Sequence, residues 1–116
     1  MKRISAAMLF ACVALLLPQI ALAHAHLLSS TPEANATVHG PGVAIELRFN
    51  SRVDGHHSVL SLVTHGGNVA LSIDNQSAEN NLNAHATLKP AAYTLRWQAL
   101  STDGHITRGE IPFTVH

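Results

Sequence analysis

The sequence predicts an all-β domain, a small antiparallel sandwich or Greek-key barrel, on three observations. Apolar residues alternate at period two and hardly ever at 3.6; turn chemistry recurs every ten residues or so; and no segment carries a convincing helical stripe. The clearest strand holds Val43, Ile45, Leu47 and Phe49, interleaved with Ala44, Glu46, Arg48 and Asn50, so one face is buried and the other wet. A second places Tyr93, Leu95, Trp97 and Ala99 inward against Thr94, Arg96 and Gln98, and a third alternates Ile111, Phe113 and Val115 with Pro112, Thr114 and His116. Shorter strands are expected at Ala25 to Ser29, Ser58 to Thr64, Asn68 to Ile73 and Ala84 to Leu88. Pro41-Gly42, Asp54-Gly55, Gly66-Gly67, Asp74-Asn75, Lys89-Pro90 and Asp103-Gly104 supply the turns between them. The polar, aperiodic stretch Asn75 to Asn83 reads as a loop. Pro112, which has no N–H for a sheet ladder, is expected at an edge, at a bulge, or with its nitrogen toward solvent.

Ahead of these strands, residues 1–23 read as a secretory signal peptide. Lys2 and Arg3 open it, an apolar run extends from Ala6 to Leu17, Pro18-Gln19 breaks the run, and Ala21-Leu22-Ala23 places small residues before the cut. The run is shorter than the roughly 20 residues a membrane-spanning helix needs. Lipidation at Cys12 is the lesser reading, because Phe10 is bulky for that recognition and the apolar run continues past the cysteine. The expected mature domain is 24–116, exported to the periplasm.

Dividing the composition at that point changes its meaning. The whole chain has 116 residues, formal net charge +0, nine histidines, one cysteine and two methionines. Cleavage after Ala23 removes Cys12, Met1, Met8, Lys2 and Arg3, so the remaining 93 residues carry five basic and seven acidic side chains, no sulfur, and all nine histidines. Disulfide scaffolds, thiolate or thioether metal sites and cysteine nucleophiles are thereby excluded from the mature domain. The basic excess expected of a nucleic-acid binder is absent, and no second apolar run would make the mature chain span a membrane.

The cut also makes a ligand. As first residue, His24 would carry a free α-amine with a reference pKa of about 8, which together with its own Nδ1 can close a chelate ring on one cation. Asp103-Gly104-His105 offers the complement: residues i and i+2 of an extended segment point the same way, and Gly104 lets the backbone bend. Three nitrogens and a carboxylate oxygen suit tetragonal Cu(II) better than tetrahedral Zn(II). Taken alone, Asp-Gly-His reads equally well as a turn in which Asp103 bonds its own backbone. His26 is an additional ligand or a neighbour of the site. As third residue it would also permit a rival wrapped mode, in which a Cu(II) or Ni(II) ion takes the amine, two deprotonated amides and the His26 imidazole. His39, His56, His57, His65, His85 and His116 read as surface residues, Arg108 and Glu110 as exposed strand charges, and Trp97 as core.

The opening His24-Ala25-His26-Leu27-Leu28-Ser29-Ser30-Thr31-Pro32 and the closing run from Tyr93 through Trp97 to Ser101-Thr102-Asp103-Gly104-His105, followed by Gly109 and Phe113, resemble the CopC/PcoC family of bacterial periplasmic copper-binding proteins. The resemblance implies a Greek-key β-barrel or sandwich of immunoglobulin-like architecture and cupredoxin-like size. It implies one Cu(II) ion per mature chain, bound by His24, Asp103 and His105, a role in copper homeostasis or resistance, and an inner-membrane copper transporter of CopD type as partner. Some family members bind Cu(I) through a methionine-rich loop; the corresponding stretch here, roughly Asp54 to Gly67, has His56, His57 and His65 but no methionine, so no such Cu(I) site is expected. No turnover is expected. The rival readings are an oxidative copper enzyme built on an N-terminal histidine brace, and an immunoglobulin-like interaction module with incidental histidines.

Overall fold

The computed structural model describes residues 24–116; the signal-peptide assignment, Cys12 included, lies outside the described residues. Eight strands run in chain order: β1 (Leu27–Thr31), β2 (Ala36–Val38), β3 (Gly42–Phe49), β4 (Val59–Thr64), β5 (Gly67–Leu71), β6 (Asn81–Thr87), β7 (Ala91–Leu100) and β8 (Ile106–Val115). They form two sheets, β1-β3-β6 and β2-β8-β7-β4-β5, with no helix among the described residues. The expected all-β sandwich is the observed architecture.

Period-two alternation sends one face of each sheet inward. From the smaller sheet come Val43, Ile45, Leu47, Phe49, Leu82 and Ala84; from the larger, Leu60, Leu62, Leu95, Trp97, Ile111 and Phe113. At the centre Phe49 meets Trp97 edge to face, ring centroids 5.3 Å apart. Trp97 pairs in register with Gly109 on β8, and a Cβ at Gly109 would stand 2.6 Å from the indole. Glycine is therefore what lets the indole lie flat on β8. Tyr93 stacks on Phe113 and its hydroxyl donates to the Lys89 carbonyl at 2.7 Å. This return to the backbone just upstream is the tyrosine corner of immunoglobulin-like sandwiches.

Four features depart from the sequence expectation. First, β1 begins at Leu27 instead of Ala25, and its register slips at Leu28, an exposed bulge residue. Second, residues 81–83 are strand, not loop: Leu82 is fully buried opposite Leu47, and one apolar residue among asparagines is too short a signal for period two to register. Third, β8 starts five residues before Ile111 because it zips against β7 from Leu100↔Ile106 onward. Fourth, the short β2 was not expected, and it pairs with β8 parallel, so the sheets are not wholly antiparallel. Pro112 sits just outside that parallel ladder, which begins at Ala36↔Phe113, so its missing N–H is not called on, and its carbonyl accepts from Asn35 N–H at 2.6 Å.

Candidate metal centre

The two ends of the sequence motif meet at one pole of the sandwich, and the chain's anchoring explains how. Ala25 is buried in the core, and its carbonyl accepts from Thr107 Oγ1 at 2.9 Å. The next residue is tied to the other sheet: His26 N–H donates to Asn50 Oδ1 at 2.7 Å, and Asn50 N–H returns to the His26 carbonyl at 3.0 Å. The segment before β1 is thus clamped between the ends of β3 and β8. That clamp sets His24 against His105, with ring centroids 4.3 Å apart and planes tilted by 48°. His24 Nε2 is buried without a hydrogen-bond partner among the described residues.

Residues 101–105 form the β7–β8 turn. Gly104 adopts φ +88°, a conformation that side chains other than glycine's rarely take. Gly104 N–H donates to the Ser101 carbonyl at 3.0 Å, and Ser101 N–H to the His105 carbonyl at 2.9 Å. Asp103 works locally with both oxygens. Its Oδ1 accepts from the Ser101 hydroxyl and from His105 N–H at 3.1 Å, while Oδ2 lies 2.9 Å from His105 Nδ1. The turn reading and the ligand reading of Asp-Gly-His are therefore compatible. A carboxylate on Nδ1 fixes the ring's orientation and leaves Nε2 as the nitrogen facing outward, the arrangement that commonly orients metal-binding histidines.

The Ser101 hydroxyl, then the His105 amide, hold the Asp103 carboxyl down at about 2. Asp103 is thus an anion throughout the neutral range. Since its folded value lies below the unfolded one, its contribution to stability is present at neutral pH and is lost as pH falls through about 2. Ser101→Ala is expected to move the Asp103 midpoint up toward 3.8 in metal-free protein, read from the side-chain carboxyl resonance in an NMR pH titration. An unmoved midpoint would show that the hydroxyl does not set it.

The remaining sequence candidates separate from this pole or serve it indirectly. His26 is exposed and is held through its backbone. Its amide is bound to the Asn50 side chain, not to a sheet ladder as expected, and this still opposes the wrapped mode, which needs that nitrogen. Arg108 pairs with Gln98, and Glu110 with Arg96, so neither orients Asp103. His57 and His85 are exposed and each has Nδ1 2.8 Å from a carboxylate, Asp54 and Asp74 respectively. Ser101, Asn50 and Thr107 were missed by sequence reasoning; of these, only Ser101, two residues before Asp103, carried a signal. Among the described residues, no three His, Cys, Asp or Glu side chains are gathered as a ready-made cation site.

An immunoglobulin-like sandwich that brings a histidine ahead of its first strand onto an Asp-Gly-His hairpin turn defines a recognisable class, and comparison agrees. The CopC domain family matches residues 27–116. The chain belongs to the CopC family, whose members bind copper. It is 34% identical over 101 residues to protein YobA of Escherichia coli (strain K12), covering 80% of this chain and 79% of YobA. It is 28% identical over 104 residues to the copper transport protein CutJ of Bacillus subtilis (strain 168), covering 85% of this chain but only 19% of CutJ. The crystal structure of CopC from Methylosinus trichosporium OB3b superposes with a TM-score of 0.71 at 27% identity, over 79% of this chain and 93% of that one. The methionine-rich copper resistance protein PcoC of Escherichia coli shares the fold, with a TM-score of 0.66 at 24% identity over 81% and 100% of the two chains.

Proposed function

We propose that this protein is a periplasmic Cu(II) carrier whose mature chain begins at His24 and holds one ion at the pole where His24 meets His105. The observation that carries this reading is the His24–His105 ring pair, whose centroids lie 4.3 Å apart. In the uncut chain the His24 backbone nitrogen is an amide, whose lone pair is delocalised into the carbonyl and is given to a metal only on deprotonation. Cleavage after Ala23 converts it to an amine, and the third nitrogen donor then appears beside two imidazoles.

In this reading the amine and Nδ1 of His24 chelate the ion, His105 gives Nε2, and the Asp103 carboxylate orients His105 and offers oxygen at weaker or axial range. Imidazole and amine nitrogens favour Cu(II), and the domain from His24 onward has no thiolate or thioether to retain Cu(I). One-electron reduction to Cu(I) by an external donor would then weaken binding and release the cargo, and an inner-membrane transporter of CopD type is the proposed recipient. Kinship to a copper transport protein supports carriage over catalysis. No turnover is proposed.

His105→Ala tests the assignment. In chains beginning at His24, Cu(II) affinity is expected to fall by at least about tenfold, beyond the lower limit for losing an outer-shell partner, with one nitrogen fewer in the hyperfine structure of the EPR spectrum. Unchanged affinity and spectrum would overturn it. Copper-dependent oxidation of ascorbate or polysaccharide by the unsubstituted chain would instead favour the oxidative enzyme.

A further inference from the structure

At the opposite pole a second pair of imidazoles is set side by side by the backbone itself. Strands β2 and β8 run parallel with Val38 opposite Val115. His39 and His116 are the next residues on each strand, and the register continues through them: His116 N–H donates to the Val38 carbonyl at 2.8 Å, and Gly40 N–H reaches the His116 carbonyl at 3.4 Å. Alternation along a strand puts His39 on the face of Thr37 and His116 on the face of Thr114, both exposed. The rings meet with centroids 6.2 Å apart at 68°. Two imidazoles sharing one ion at metal–nitrogen distances of about 2.0 Å have centroids roughly 4.5 Å apart at right angles and roughly 6.4 Å apart when opposed. The observed separation falls inside that interval, so side-chain rotation suffices.

His57, His85 and His105 each have Nδ1 against a carboxylate, whereas neither His39 nor His116 is paired with one among the described residues. Both nitrogens of each ring are open to a ligand. We infer that His39 and His116 form a second, weaker site for a borderline divalent cation, Cu(II) first and then Zn(II) or Ni(II), in the order imidazole ligands prefer. The neighbouring groove of about 370 Å³ brings Lys89 close, and two imidazoles from separate strands close no chelate ring, which keeps this site weaker than the one at the other pole. The ten residues of β8 separate the two by about 30 Å at roughly 3.3 Å per residue, so the second binds independently of the first.

The test is a Cu(II) titration, and separately a Zn(II) titration, of the untagged chain beginning at His24, alone and with His39→Gln, His116→Gln or both. The expected result is a second equivalent whose affinity falls at least about tenfold in either single variant, with no further loss in the double, while the first equivalent is unchanged. Paramagnetic broadening of both ring resonances by the second equivalent is the accompanying signature. A second equivalent that survives either substitution, or losses that simply add, would show independent surface imidazoles and overturn the site. His105→Ala should weaken the first equivalent and spare the second, so failure at one pole is distinguishable from failure at the other.

Discussion

A chain carrying one extra residue ahead of His24 is expected to bind Cu(II) at least about 100-fold more weakly than a chain that starts at His24. Loss of an outer-shell partner costs a metal site roughly 10–100-fold. The extension does more, replacing the amine by an amide and so removing one nitrogen together with the chelate ring. The fold should be indifferent to it, since His24 precedes β1 and, among the described residues, the buried core begins at Ala25. Isothermal titration or competition with a chromophoric chelator gives the affinity, and EPR shows whether the set of nitrogens has changed. Equal affinities with identical spectra would eliminate the terminal amine as a ligand. A square-planar spectrum that instead requires the His26 imidazole would mean the chain had surrendered the His26–Asn50 bond to wrap the ion.

The largest expected effect on stability comes from Phe49→Ala. Phe49 is fully buried at the contact between the sheets, where it meets Trp97 at 5.3 Å. Its backbone is fixed on both sides, by N–H to the Asn80 carbonyl at 2.8 Å and by its carbonyl to Asn80 Nδ2 at 3.0 Å, so the strand has little room to collapse into a cavity. Truncations of this kind cost about 3–5 kcal/mol, against the roughly 5–15 kcal/mol that holds a whole domain together. For a domain this size that corresponds to a fall in Tm of at least about 12 °C, measurable by thermal denaturation followed by circular dichroism. A fall of only a few degrees would mean that the sheets repack. The residue after Phe49 is Asn50, which holds His26, so weakened Cu(II) binding should accompany the loss of stability.

Both predictions depend on how far the residues were legible in order. The buried faces of β3 and β7 were readable because alternation over four inward residues is a strong local signal. The start of β6 was not, because one leucine among asparagines acquires its meaning only from Leu47 opposite. Likewise β2 is three residues long, and its partner β8 lies over seventy positions away in the chain, so no local pattern could announce the parallel pairing.

The sequence by itself determined the chemical inventory. It confines all sulfur to residues 1–23, places every histidine after them, reserves glycine for the turn at Gly104, and encodes two inward faces by alternation. These are properties of residues and their immediate neighbours. What only the tertiary structure decided is which imidazoles meet. His24 and His105 are 81 positions apart and come together because Asn50 and Thr107 clamp the N-terminal segment to both sheets. His39 and His116 are 77 apart and meet because a parallel register carries them there. In each case hydrogen bonds between segments distant in sequence, side chain to backbone at one pole and backbone to backbone at the other, convert separated histidines into neighbours, and such bonds are formed only when the core closes.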